Sequence, residues 1–171
     1  MITGVITSVY GKDINTDDII PASFLQQSND RKFFKDYAFD RYDPAFRQRC
    51  NTTTTNIVIG GENFACGSSR EQAVYALQEN GVVCVIAQSY PDIFYRNSLS
   101  NGLVLVSLPD TSSFQMGDEV HVDLETYTIE NVTQGTTFRF EMNHDDNETF
   151  KQGGMIGRVR THLAELLQTS K

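Results

Sequence analysis

Six consecutive apolar residues at positions 82–87, VVCVIA, constrain the fold more than any other stretch of this sequence. The run is bounded by Gly81 and Gln88 and is rich in β-branched residues, which is typical of a strand covered on both faces. Short apolar runs also occur at 56–60 and 103–108, and helical patterns at 69–80 and 91–99 separate the three runs. This alternation predicts a parallel sheet with helices packed against it.

The rest of the chain adds a first strand at 2–10, a turn-rich loop at 11–21 and a short helix near 31–37. Apolar and polar residues alternate from 117 to 141, which predicts an antiparallel meander, and residues 160–167 favour a terminal helix. We therefore expect a single domain over residues 1–171. Its fold class is α/β, with a parallel-rich core sheet flanked by helices and an antiparallel C-terminal meander.

A glycine-rich turn leads into the first of these helices, in the sequence GGENFACGSSREQAVYAL at 60–77. We expect the helix to begin at Ser68 or Ser69, so that unpaired N–H groups and the positive end of the helix dipole face an anion. Arg70 adds a forked guanidinium suited to a carboxylate or a phosphate. The alternative is an ordinary serine N-cap with Glu71 in the first turn.

Charge limits the classes of ligand. The net charge is −8, and ten acidic residues against one arginine give residues 110–149 a net charge of −9. Residues 31–49 carry a net +3. The acidic region argues against nucleic acid, whereas the basic segment permits a small anionic substrate. The sequence also contains no apolar stretch long enough for a membrane span and no visible secretory leader, so we expect a cytoplasmic protein.

The cysteines are scattered at Cys50, Cys66 and Cys84, without a Cys-x-x-Cys pair. Iron–sulfur and zinc sites normally use clustered thiolates or short Cys and His pairs, and the three histidines are equally dispersed. Cys84 lies within the apolar run and is expected to be a buried thiol. We expect no metal to be bound by this chain alone.

Three motifs occur in order: NTDDIIP at 15–21, NFACGSSRE at 63–71 and VIAQSYPDIFYRN at 85–97. Together they resemble the small subunits of 3-isopropylmalate dehydratase, which form the swivelling β/β/α domain of the aconitase superfamily. The resemblance covers nearly the whole chain. One departure is Ala65, where the family often has glycine.

The resemblance implies a reversible removal and addition of water that isomerises 2-isopropylmalate and 3-isopropylmalate in leucine biosynthesis. Ser68 then corresponds to the proton-abstracting serine, with Ser69 and Arg70 binding the substrate. Thr16 and Asp17, in the first motif, would lie beside the serine turn and also bind substrate. An Asx or ST turn that only shapes the loop is the alternative for these two residues.

The resemblance also implies a specificity loop that includes Phe24, Leu25 and Arg31 and faces the variable substituent of the substrate. The reaction needs a 4Fe-4S cluster, which the family carries on a separate large subunit as the Lewis acid for the hydroxyl group. We therefore expect a heterodimer or heterotetramer with an iron–sulfur subunit, and a small hydroxy-dicarboxylic or tricarboxylic acid as substrate.

Other functions remain open on sequence alone. Homoaconitase, citraconate hydratase and dimethylmalate hydratase share these motifs. A non-catalytic anion-binding module would use the same turn, although the spacing of a P-loop or a dinucleotide fold is absent. A hydrolase would use Ser68 or Cys66 as nucleophile, with His121 near in space, although the sequence has no Gly-x-Ser-x-Gly elbow.

Overall fold

The computed structural model describes residues 1–169, in which seven strands form one mixed sheet. The strands are β1 Ile2–Val9, β2 Asn56–Ile59, β3 Val82–Ala87, β4 Val104–Ser107, β5 Glu119–Asp123, β6 Thr128–Asn131 and β7 Thr136–Arg139. Their order is β4-β3-β2-β1-β5-β6-β7. The first four strands pair in parallel, and β1, β5, β6 and β7 pair antiparallel. The predicted parallel core and antiparallel meander are confirmed.

In the described part of the chain, six α-helices and two 3-10 helices flank the sheet. The α-helices are α1 Thr16–Ile19, α2 Phe46–Cys50, α3 Glu71–Glu79, α4 Asp92–Asn101, α5 His144–Lys151 and α6 Gly154–Thr169. The 3-10 helices are Ala22–Phe24 and Arg31–Tyr37. Helices α3 and α4 occupy the crossovers between parallel strands, as the alternating pattern predicts. No helix among residues 1–169 combines the length and the apolar composition that a membrane crossing requires.

Strand β3 is covered on both faces, as expected. Cys84 and Ile86 pack into one hydrophobic cluster with the meander, whereas Val85 and Ala87 pack into the other cluster with the helices. Burial raises the pKa of the Cys84 thiol, because the thiolate would lose its hydration there. Cys84 is therefore a core residue, as predicted.

The mixed aromatic and charged segment before β2 is held on the sheet by Arg49. Its Nε donates to the carbonyl of Thr7 at 2.7 Å, and its Nη2 donates to the hydroxyl of Ser8 at 2.8 Å. The same guanidinium pairs with Asp43. Because Thr7 and Ser8 belong to β1, this arginine fixes the long connection between β1 and β2 in place.

The start of α3 differs from the prediction. The helix begins at Glu71 rather than at Ser68 or Ser69, and Arg70 occupies the N-cap position with an extended backbone (φ −138°, ψ 106°) and no side-chain cap bond. Gly67, with φ +92°, turns the chain just before the two serines. The serines therefore lie in the loop that precedes the helix, and the N-cap interpretation of Ser68 is wrong.

The C-terminal helices are also more extensive than predicted. Helix α6 begins at Gly154, six residues before the expected start, and α5 was not predicted. Asn143 caps α5 by accepting from the backbone N–H groups of Asp145 and Asp146. An asparagine followed by acidic residues is a recognisable helix start, so the sequence did contain this signal.

Candidate active site

The first and second motifs meet through a backbone bridge. Asn15 and Cys66 form an isolated parallel bridge, in which the N–H of Thr16 donates to the carbonyl of Cys66 at 2.8 Å. The N–H of Cys66 in turn donates to the carbonyl of Ile14 at 2.9 Å. This pairing extends the parallel contact of β1 and β2 beyond the ends of both strands. It places α1 directly against the serine turn.

Thr16 contacts the serine turn with its side chain as well. Its hydroxyl donates to the carbonyl of Ser68 at 3.1 Å, and Thr16 itself is only 2% exposed. Ser68 and Ser69 are exposed. A buried threonine thus fixes the backbone of an exposed serine, in agreement with the expected neighbourhood of these residues.

Asp17 and Arg70 form an ion pair at the edge of the same turn. Arg70 Nη1 donates to the Asp17 carboxylate and to the carbonyl of Ile20 at 3.3 Å, and the arginine side chain is 11% exposed. The Arg70 hydrogen bond holds the pKa of Asp17 below its usual range, helped by the N–H of Ala22 at 3.1 Å. The guanidinium is therefore anchored through one of its nitrogens.

Asn15 helps to position the residues of the site, and this role was not predicted from the sequence. Its side chain accepts from the N–H of Asp17 at 2.9 Å, and the Asp18 carboxylate accepts from the N–H of Asn15 at 2.8 Å. This is a capping box, and the spacing of Asn15 and Asp18 could have revealed it. A Cβ on Gly67 would lie 2.7 Å from the Asn15 side-chain nitrogen, so the close approach of the two motifs requires glycine.

A small cavity of about 30 Å³ opens at this cluster. That volume holds one or two water molecules, and it is too small to enclose a substituted malate. Side chains at the start of α4 form one wall, which the sequence did not predict. The lining residues are Thr16, Ala65, Gly67, Ser68, Arg70, Pro91, Ile93 and Phe94.

Two of the predicted specificity residues lie close to this cluster in the chain and in space. Phe24 follows Ala22, whose N–H is bound by Asp17, and stacks on Tyr37 with ring centroids 4.0 Å apart. Leu25 is half-buried and packs against the core that the helices cover. Both apolar side chains are partly exposed and follow closely in the chain after Ala22, which binds Asp17.

Arg31 is not brought to the cluster. Its Nε lies 2.9 Å from the Glu79 carboxylate, its Nη2 donates to Gln78 at 2.6 Å, and its guanidinium lies 4.5 Å from the ring centroid of Tyr75. Glu79 ends the helix that Arg70 caps, and nine helical residues span about 13 Å. Arg31 therefore joins the second 3-10 helix to the far end of α3.

The cysteines do not form a metal site. Within residues 1–169, no group of three or more His, Cys, Asp or Glu side chains is arranged to hold a metal ion. Cys50 and Cys84 are buried, and only Cys66 is near the serine turn. An iron–sulfur cluster needs several converging thiolates, so the described residues do not fit one.

His121 lies away from Ser68. It is on β5 opposite Thr3, at the start of β1, whereas the serine turn follows the end of that strand. Its ring nitrogens face Glu119 at 3.4 Å and Glu130 at 3.7 Å. A wider groove at that end has Glu119 and no basic side chain in its lining, which is unsuited to an anion. The geometry gives no support to a Ser–His hydrolase.

Comparison with known proteins identifies the family of this chain. The family of the aconitase C-terminal domain matches residues 2–111. The chain is 38% identical over 157 residues to the 3-isopropylmalate dehydratase small subunit of Methanosarcina mazei, covering 91% of this chain and 95% of the relative. It is 40% identical over 153 residues to that of Caldanaerobacter subterraneus subsp. tengcongensis, covering 88% and 93%.

A solved structure has the same fold. The crystal structure of 3-isopropylmalate dehydratase from Methanocaldococcus jannaschii superposes with a TM-score of 0.85 and 30% sequence identity, covering 99% of this chain and 98% of that one. The sequence match and the structural match both extend over nearly the full length. The chain therefore belongs to the aconitase C-terminal domain family, among relatives named as 3-isopropylmalate dehydratase small subunits.

Proposed function

We propose that this chain is the small subunit of a two-subunit hydro-lyase that interconverts 2-isopropylmalate and 3-isopropylmalate in leucine biosynthesis. The observation that carries the proposal is the convergence of Thr16, Asp17, Ser68 and Arg70, from two motifs about 50 residues apart, at one exposed edge. Relatives of nearly equal length bear this enzyme's name. We also propose a cytoplasmic location, because the relatives are named as a biosynthetic enzyme.

In this proposal, Ser68 removes the proton from the carbon next to a substrate carboxylate. A hydroxyl group is a weak base unless its alkoxide is stabilised by nearby donors. Among residues 1–169, the backbone N–H groups of Ser69 and Arg70 donate to no other protein group, so they are available to the alkoxide. Ser68 would act as its alkoxide, its own proton having passed to solvent, and the substrate proton would then reside on Ser68 Oγ until the reverse step.

Arg70 binds the carboxylate beside the reacting carbon. Asp17 and the carbonyl of Ile20 bind only Nη1 of Arg70. The edge formed by Nε and Nη2 of Arg70 is therefore left to bind both oxygens of a substrate carboxylate. Asp17 is thus a positioning residue that orients the guanidinium. Because Asp17 already orients the guanidinium, Arg70 loses less side-chain conformational entropy when the substrate binds than a flexible arginine would.

The remaining half of the site would come from a large iron–sulfur subunit. The cavity of about 30 Å³ is too small to enclose the substrate, and the thiols of residues 1–169 do not fit a cluster. We therefore assign the cluster and the departure of hydroxide to the partner. Phe24 and Leu25 provide apolar surface that suits the isopropyl group.

Reconstitution tests the proposal. The chain would be mixed with the large subunit from the same organism, purified without oxygen, and the interconversion of 2- and 3-isopropylmalate would be followed. We expect activity only in the complex, and we expect Ser68→Ala to lower kcat by several orders of magnitude. Ser113→Ala, at an exposed serine outside the three motifs, is the matched control. Full activity of Ser68→Ala, or of the isolated chain, would refute the proposal.

A further inference from the structure

We propose that Arg41 is a second substrate-binding cation, which receives the carboxylate that Arg70 does not bind. The inference rests on the proposed function, because a malate-type substrate carries two carboxylates, both ionised at neutral pH. One arginine on this chain can neutralise only one of them. The family resemblance implies a place for Arg31 in the specificity loop, but in the structure Arg31 pairs with Glu79 and stacks on Tyr75 at the far end of α3.

Arg41 differs from its two neighbouring arginines in the groups that it contacts. Arg47 lies 3.2 Å from the Asp40 carboxylate, and Arg49 pairs with Asp43. Among residues 1–169, Arg41 has no carboxylate within ion-pair distance. Its Nη2 makes a long 3.4 Å hydrogen bond to the hydroxyl of Ser23. A guanidinium with only a hydroxyl partner keeps most of its donors for a ligand.

The position of Ser23 places Arg41 beside the candidate active site. Ser23 directly follows Ala22, whose N–H donates to the Asp17 carboxylate, and it precedes Phe24. The charge of Arg41 also contributes to the lowered pKa of Asp17, after the larger effect of Arg70. Asp17 therefore contacts the largely buried guanidinium of Arg70 and lies within the electrostatic influence of the exposed guanidinium of Arg41.

This arrangement separates two roles. Arg70 is fixed by Asp17 and is suited to hold the carboxylate next to the reacting carbon. Arg41 is exposed and is suited to attract and hold the distal carboxylate as the substrate enters. Loss of Arg41 should then weaken binding of the substrate much more than it slows the chemical step.

Kinetics of the reconstituted complex test the inference. We expect Arg41→Gln to raise KM for 3-isopropylmalate by about 10- to 100-fold with kcat changed by less than about threefold, a loss typical of a charged hydrogen-bonded pair. Arg41→Lys should restore part of the affinity. Arg47→Gln, which removes an arginine of the same segment, should leave KM unchanged.

Ser23→Ala distinguishes direct binding from an effect on the loop. If Arg41 acts only by holding Ser23, then Ser23→Ala will raise KM as much as Arg41→Gln does, and the inference is overturned. An unchanged KM for Arg41→Gln overturns it as well.

A binding experiment on the isolated chain decides the question without any enzymatic activity. The Nε–Hε resonances of Arg41 and Arg70 would be followed by NMR during titration with L-malate and, separately, with L-lactate. We expect malate to shift both resonances and lactate, which has one carboxylate, to shift that of Arg70 alone. Malate that leaves the Arg41 resonance unmoved would overturn the inference. If the complex proves inactive, the proposed function fails, but this titration still decides the role of Arg41.

Discussion

The hydroxyl of Thr16 donates a 3.1 Å hydrogen bond to the carbonyl of Ser68, which lies 52 residues later in the chain. Thr16→Val keeps the shape of this buried side chain and removes the donor. Because the position of Ser68 Oγ depends on its backbone, we expect kcat to fall about 10- to 100-fold, with a stability loss of about 1 kcal/mol. Steady-state kinetics and urea unfolding measure the two effects.

Two further variants control this experiment. Thr16→Ser keeps the donor and should retain most of the activity. Thr7→Val removes a similar bond from a buried threonine to the carbonyl of Ile57, away from the site. If Thr7→Val slowed turnover as much as Thr16→Val, a specific role for the Thr16 bond would be untenable.

Arg70→Lys should disable turnover although it keeps the positive charge. A lysine ammonium cannot contact Asp17 and the carbonyl of Ile20 and also donate two parallel hydrogen bonds to a substrate carboxylate. We expect kcat/KM of the reconstituted complex to fall at least about 100-fold, the loss of a bidentate charged contact. Arg47→Lys is the control, and near-normal kinetics for Arg70→Lys would remove Arg70 from its assigned role.

Asp17 should make a pH-dependent contribution to stability. The Arg70 hydrogen bond lowers the pKa of Asp17 in the folded chain below its value in the unfolded chain, which is near 3.8. The ionised carboxylate therefore stabilises the fold at pH values above 3.8. This stabilisation is lost as the pH falls through the pKa of Asp17 in the folded chain. Asp17→Asn should therefore lower the free energy of unfolding at pH 7, and the difference from wild type should vanish in acid. The side chain is 54% exposed, so solvent screening limits the effect to about 1 kcal/mol or less.

Urea titrations at several pH values measure this difference. Asp36→Asn, which changes an exposed carboxylate on the second 3-10 helix, is the control and should show no such trend. A difference between Asp17→Asn and wild type that stays constant from pH 7 to pH 3 would contradict the assignment.

Ala65 should tolerate glycine unusually well. It is buried and has φ +64°, a left-handed conformation that costs a side-chain-bearing residue about 1–2 kcal/mol. In Ala65→Gly, relief of this strain offsets the greater entropy of the unfolded chain, so we expect a stability change below about 1 kcal/mol. Ala76→Gly, in the middle of α3, should cost about 1 kcal/mol or more. Thermal unfolding compares them, and an equal loss in both variants would contradict the strain argument.

Much of the fold could be predicted from local pattern. Residues 82–87 form a strand with the expected bounds, because burial on both faces leaves a continuous apolar run in the sequence. The short helix expected near 31–37 occupies Arg31–Tyr37, as a 3-10 helix. These features depend on neighbours in the chain, so the sequence records them directly.

The features that could not be predicted depend on distant residues. The sequence SSRE looks like a helix start, but Gly67 turns the chain and Thr16 binds the Ser68 carbonyl, so the helix begins at Glu71. The resemblance implies that Arg31 belongs to a specificity loop; a carboxylate at the end of α3 binds it in the structure, and its role toward substrate stays a prediction. Neither long-range partner is visible in a local pattern.

The bridge between Asn15 and Cys66 has a consequence for how the site can move. Both of its amide hydrogen bonds continue the pairing of β1 with β2, so they belong to the same cooperative unit as the sheet and should exchange their hydrogens with solvent as slowly as the strands do. The bridge binds Thr16 to Cys66, two residues before Ser68, so we expect α1 and the serine turn to move together. We therefore expect the serine turn to approach a substrate together with α1 and the sheet edge rather than by bending of the loop alone.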